Sequence, residues 1–210
     1  MIPKRRTPQP SRSSSWQNDA SNQYVEAGMG GAYSSQRFES TQSATYLVTK
    51  VPYVGEYGGY TVGANCYAYA LQLEDDPTNG GQPFGNSPNP GYFAGDPMTN
   101  FNYANADEAR RAFEGKMLAD FDVLGYKMYS KSNNTMMRPT GNNWVIALAR
   151  NSTTGLYHFY RMDANGTWSH KPGTGAAQQF DFSYNPITDP QYANRGDYDE
   201  FLGYYEIGLR

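Results

Sequence analysis

The stretch Leu156-Tyr157-His158-Phe159-Tyr160-Arg161-Met162, followed by Asp163-Ala164-Asn165-Gly166 and Thr167-Trp168-Ser169-His170, decides the fold. The first seven residues are nearly all apolar or aromatic, which is the composition of a buried strand. Asn165-Gly166 is a strong hairpin signal, because both residue types tolerate φ > 0. Thr167 to His170 is the returning strand, and Pro172-Gly173 closes it. An antiparallel hairpin is therefore expected at the centre of the chain's second half.

Two further strands flank it in sequence. Asn143-Trp144-Val145-Ile146-Ala147-Leu148-Ala149 reads as a buried strand, and Phe201-Leu202-Gly203-Tyr204-Tyr205-Glu206-Ile207 as the last one. Upstream, Asn105-Ala106-Asp107-Glu108 has the form of a capping box. Phe113, Met117 and Phe121 follow at helical spacing, and Gly125 is a natural stop. Asn65-Cys66-Tyr67-Ala68-Tyr69-Ala70-Leu71-Gln72-Leu73 is apolar nearly all round, which suits a short core helix. Between the two helices, 77–97 carries five prolines and reads as a long loop. Thr45-Tyr46-Leu47-Val48 reads as a short strand, and 53–63 as a Gly- and Tyr-rich loop. Residues 1–44 are poor in aliphatics and rich in Ser, Gln, Asn and Gly. They cannot bury enough apolar surface to offset their ordering entropy. The expectation is a disordered N-terminal arm (1–44) before one α+β domain (45–210), helices first and antiparallel sheet after. The arm is either without a role or an address or docking segment for a partner.

Composition removes several classes. The 210 residues hold 19 Tyr, 10 Phe and 3 Trp, too many rings for a wholly disordered chain. Charged residues are 18% of the total, too few for a coiled coil. A net charge of −3 offers no global basic field, so nucleic acid is not an expected partner. No run approaches the ~18 apolar residues that span a bilayer. Lys4-Arg5-Arg6 is not followed by an apolar stretch, so a conventional secretory signal is not expected. The location is then cytoplasmic, virion-associated, or outside the cell by another route. One Cys and two His make a Cys-rich zinc site impossible, and no cofactor is expected.

Three residues could carry chemistry. Cys66 follows Gly63 and Asn65 and so falls at a helix N-terminus, where unpaired N–H groups favour a thiolate and a developing oxyanion. The plain alternative is a buried small hydrophobe. His158 and His170 are the candidate bases. If an even number of residues forms the hairpin loop, they face opposite sides of the sheet and only one can meet Cys66. His158, between Tyr157 and Phe159, is preferred, and His170 is the alternative.

These segments resemble the papain-like cysteine peptidase and amidase superfamily. Asn65-Cys66-Tyr67-Ala68-Tyr69-Ala70 is similar to the cysteine motif of the CHAP and NlpC-type peptidoglycan amidases. His158 to Trp168 is similar to their His strand, turn and return strand. The likeness spans roughly 45–207, with specific matches at about 20 positions. It implies a papain-like core helix packed on the sheet, a Cys66 nucleophile and a His158 base. The backbone at Asn65 and Cys66 would hold the oxyanion, and the substrate would be a peptide or peptidoglycan. The usual third member falls at Ser169, His170 or Lys171. Asp189 and Asn185 are distant candidates to orient His170. The competing expectation is a non-enzymatic virion, structural or binding protein with a Tyr-rich α+β fold, in which the thiol is buried and inert.

Overall fold

A computed structural model describes residues 64–73, 76–81, 84, 87–173 and 175–210. The expected arm, the strand at 45–48 and the loop at 53–63 lie outside the described residues. The order of elements is helix α1 (Cys66–Ala70), a single 3-10 turn (Pro77–Asn79), helix α2 (Ala106–Leu124), and strands β1 (Tyr126–Ser132), β2 (Trp144–Arg150), β3 (Tyr157–Met162), β4 (Trp168–His170) and β5 (Glu200–Leu209). The α+β expectation is met. All five strands join one antiparallel sheet in the order β1-β5-β2-β3-β4.

α2 begins where the capping box placed it. The Asn105 side chain accepts from the Glu108 N–H, and Glu108 reaches back to the N–H of Ala104. Gly125 ends the helix in the left-handed conformation at φ +70°. Its apolar face, Ala109, Phe113, Met117 and Phe121, is buried. β1 was not anticipated. Its sequence, Tyr-Lys-Met-Tyr-Ser-Lys-Ser, is mostly exposed, so neither apolar alternation nor a β-branched run marks it.

Side-chain alternation divides the interior in two. On the first face, α1 and α2 pack over Trp144, Ile146 and Leu148 of β2, Tyr157 and Phe159 of β3, and Tyr205 and Ile207 of β5. On the second face, Val145, Ala147, Ala149, Tyr160, Met162, Trp168 and Tyr204 form a separate cluster. Its cover is the segment 178–199, which contributes Phe182, Ile187 and Tyr198 and is tied to the sheet by the His170–Gln178 bridge and by scattered hydrogen bonds such as Trp168 N–H to Ile187 O. No helix among the described residues is long and apolar enough to cross a membrane.

α1 is one and a half turns, too short to persist without tertiary contacts. Those contacts are specific. Asn65 caps its start, accepting from the N–H groups of Tyr67 (3.0 Å) and Ala68 (3.1 Å). Trp144 Nε1 donates to Ala70 O at 2.9 Å, and Tyr126 Oη donates to Leu71 O at 3.3 Å, so carbonyls at the other end are satisfied too. The Tyr67 hydroxyl donates to Asp120 of α2 at 2.8 Å.

Candidate functional site around Cys66 and the two histidines

Cys66 is the first residue of α1, as the sequence suggested, and is 2% exposed. Burial pushes its thiol up to about 12. The backbone N–H groups of Phe159, Tyr67 and Cys66 itself, and the positive charge of Lys171, pull the other way without restoring an ordinary thiol. Lys171 is itself buried, its ammonium donating to Gly175 O. Burial takes that ammonium down to about 8. Of the expected backbone oxyanion donors, the Cys66 N–H acts on its own sulfur, while the Asn65 side chain caps α1 and its nitrogen donates to Pro88 O at 2.8 Å.

The structure does not bring Cys66 together with either histidine. Register decides this. Tyr160 pairs with His170, Arg161 with Ser169 and Met162 with Trp168. Five residues, Asp163 to Thr167, connect the paired Met162 and Trp168, an odd number. The Asp163 and Thr167 backbones pair as well, so only Ala164, Asn165 and Gly166 form the tip. The even loop on which the opposite-face expectation depended does not occur. His158 and His170 lie on the same face, and it is the second face, away from α1. Residues of β3 that share the Cys66 side are Tyr157 and Phe159. A His one position earlier or later would have faced the thiol.

The histidines meet each other instead. His158 Nε2 lies 2.7 Å from His170 Nδ1, and His170 Nε2 lies 3.0 Å from Phe180 O. They are 1% and 0% exposed. Tyr198 stacks on the His158 ring and Tyr160 on the His170 ring. Burial holds both rings in the neutral form: His158 titrates well below 6.5 and His170 at about 4.

On the α1 side the positions next to Cys66 belong to a polar network. Tyr69 Oη and Ser169 Oγ are 2.7 Å apart, and Ser169 Oγ donates to Asp163 Oδ1 at 2.8 Å. Arg161 donates to Tyr69 Oη and to Asp163, and its guanidinium lies over the Tyr69 ring. Ser169 thus braces α1 against the hairpin. Asp189 is engaged by the Tyr204 hydroxyl, and neither it nor Asn185 bonds to His170 in the structure. Lys171 and Tyr157 are the ionisable residues that sequence reasoning failed to place beside Cys66. For Lys171 the signal was the loop count, which sets the face of every residue after the turn. Among the described residues no group of three or more His, Cys, Asp or Glu side chains is arranged to hold a metal ion.

Comparison with known proteins gives a narrow result. No family model matches the chain, and no solved structure matches it. A segment of 54 residues is 52% identical to Insoluble matrix shell protein 1 of Ruditapes philippinarum. It covers 26% of this chain and 36% of that protein, so the likeness belongs to a part of each.

Proposed function

We propose that this chain is a non-enzymatic structural protein of an insoluble matrix, with a Tyr-rich α+β domain as its folded unit. One observation carries the reading. The two imidazoles are hydrogen-bonded to each other on the second face rather than to the lone thiol, and all three groups are buried in states that suit packing rather than proton transfer. Nucleophilic catalysis by cysteine needs a base within hydrogen-bond reach and a depressed thiol pKa, and here the thiol is raised. The partial likeness to a protein named for an insoluble matrix supports the same side.

The test is extraction and turnover together. The full chain in its native source is expected in the residue left by salt and detergent washes. Wild type and Cys66→Ala are expected to release no fragments from purified cell wall or a peptide library read by mass spectrometry. Recovery in the soluble fraction, or fragments formed by wild type and not by Cys66→Ala, would overturn the reading.

A papain-like thiol hydrolase is the second reading. It has one feature in its favour: Cys66 opens a helix that packs on an antiparallel hairpin, with the Phe159 N–H directed at its sulfur. It would require a base other than His158 or His170, and the buried Lys171 is the cationic side chain acting on the thiol.

A further inference from the structure

The two histidines form one hydrogen-bonded unit. Its tautomers follow from donor and acceptor counting. The Phe180 carbonyl can only accept, so His170 Nε2 carries hydrogen. His170 Nδ1 is then a bare acceptor, and His158 Nε2 donates to it. His158 Nδ1 is left as a lone pair, buried and with no hydrogen-bond partner among the described residues. It is the basic site of the dyad that no hydrogen bond occupies.

The dyad fastens a particular segment. His170 and Gln178 exchange two backbone hydrogen bonds, at 2.9 and 2.8 Å. His170 Nε2 holds the Phe180 carbonyl, Phe182 packs on the His170 ring, and Tyr198 stacks on His158. The segment 178–199 has no strand or helix of its own. Such a layer is the part of a fold that opens first.

We propose that the His158–His170 dyad is an acid-released latch, which holds 178–199 on the second face of the sheet at neutral pH and frees it in acid while the α1–α2 face stays folded.

The electrostatic surroundings support release. Asp181, from the covering segment, acts on His170 at a distance and makes no hydrogen bond to it. Arg195, Cys66 and Asp181 act on Tyr160, and Cys66, Tyr160 and Asp197 act on Tyr198. β2 contributes only Ala147 and Ala149 at this point, and β5 contributes Tyr204, whose hydroxyl is bonded to Asp189. Among the described residues no carboxylate is hydrogen-bonded to His158 Nδ1. A charged dyad would therefore be a buried cation without a hydrogen-bonded counter-ion.

The sign follows. Detached, each ring would titrate near 6.5; closed, His170 titrates at about 4 and His158 lower still than 6.5. The open form binds more protons below 6.5, so closure is fully favoured above that pH and weakens as pH falls toward 4. His170 alone shifts the open/closed ratio about 10²-fold between pH 7 and pH 4.

Hydrogen–deuterium exchange of the full chain, corrected for the intrinsic pH dependence of exchange, tests this. Peptides from 178–199 are expected to lose at least about 10²-fold protection between pH 7 and pH 4, while peptides from β1 and β2 keep theirs. His158→Gln keeps a donor toward His170 but cannot take the proton, so the loss should become shallower. Equal loss in the segment and the sheet would overturn the latch, as would a wild-type pH profile in His158→Gln. Imidazole NMR of the wild type tests it independently of any variant. Both rings should titrate together with segment release, and titration near 6.5 with 178–199 still protected would also overturn it.

Discussion

Replacing Asp120 should loosen α1 more than any single change in α1 itself. Its carboxylate, 0% exposed, accepts from Tyr67 Oη at 2.8 Å, from the Gly91 N–H at 2.6 Å and from the Ala94 N–H at 2.9 Å. It therefore ties α2 both to α1 and to the turn at 89–95. Asp120→Ala strands three donors in a dry site. An unsatisfied buried donor costs about 1–3 kcal/mol, and such losses at one site are not additive, so the total should be about 3–5 kcal/mol. That is a large part of the ~5–15 kcal/mol that holds a typical domain together. Asp120→Asn can orient its oxygen toward Tyr67 and Gly91 and abandon only Ala94. The expected loss is about 1–2 kcal/mol. Tyr67→Phe removes donor and demand together and should lose about 1 kcal/mol. Urea unfolding followed by tryptophan fluorescence is the assay, since Trp144 donates to the end of α1 and reports its docking. A loss below 1 kcal/mol for Asp120→Ala, or Asn and Ala variants of equal stability, would refute the reasoning.

Three other expectations concern the rest of the fold. Glu206 accepts from Ser130, from Thr140 twice and from Asn143, and those hydrogen bonds bring its carboxyl down to about 2 against a burial that opposes them. Its stabilisation is present above the unfolded value near 4.5 and is lost as pH falls toward 2, so Glu206→Gln should unfold more readily at neutral pH and show a flatter acid limb in a denaturant titration. Gly91→Ala would place a Cβ 2.2 Å from Asp96 O at a left-handed φ of +92°, and a drop in melting temperature larger than for Gly95→Ala, where nothing lies within 4 Å, checks it. Arg161→Met leaves Asp163 as a buried charge short of its ion pair and should lose about 3 kcal/mol by chemical denaturation, with Asp163→Asn in the same background recovering part of it.

Local signals reached the elements they govern. The box at Asn105 and Glu108 and the stop at Gly125 are short-range chemistry, and α2 runs between them. The all-buried strands β2 and β3 announce themselves by apolar composition. β1 is silent because an exposed edge strand with Lys127, Ser130 and Lys131 carries no apolar alternation. The site was harder for a different reason. Residue types place Cys66 at the start of α1, but whether His170 shares a face with His158 or turns toward α1 depends on whether the count between Met162 and Trp168 is odd or even. Asn165-Gly166 locates the turn without fixing its length: the Asn165 side chain folds back to accept from the N–H and hydroxyl of Thr167, and Asp163 and Thr167 join the ladder. One residue of register separates a thiol–imidazole pair from an imidazole–imidazole pair.

The reactivity of Cys66 toward a disulfide reagent at pH 7, native against denaturant-unfolded, bears most directly on whether this is a packing cysteine. A thiol near 12 holds about 10³-fold less thiolate than one at the ordinary 9.0, so the native rate should be at least about 10³-fold below the unfolded one. A native thiol that reacts as fast as the unfolded one, with a rate that bends where an imidazole titrates, would contradict it.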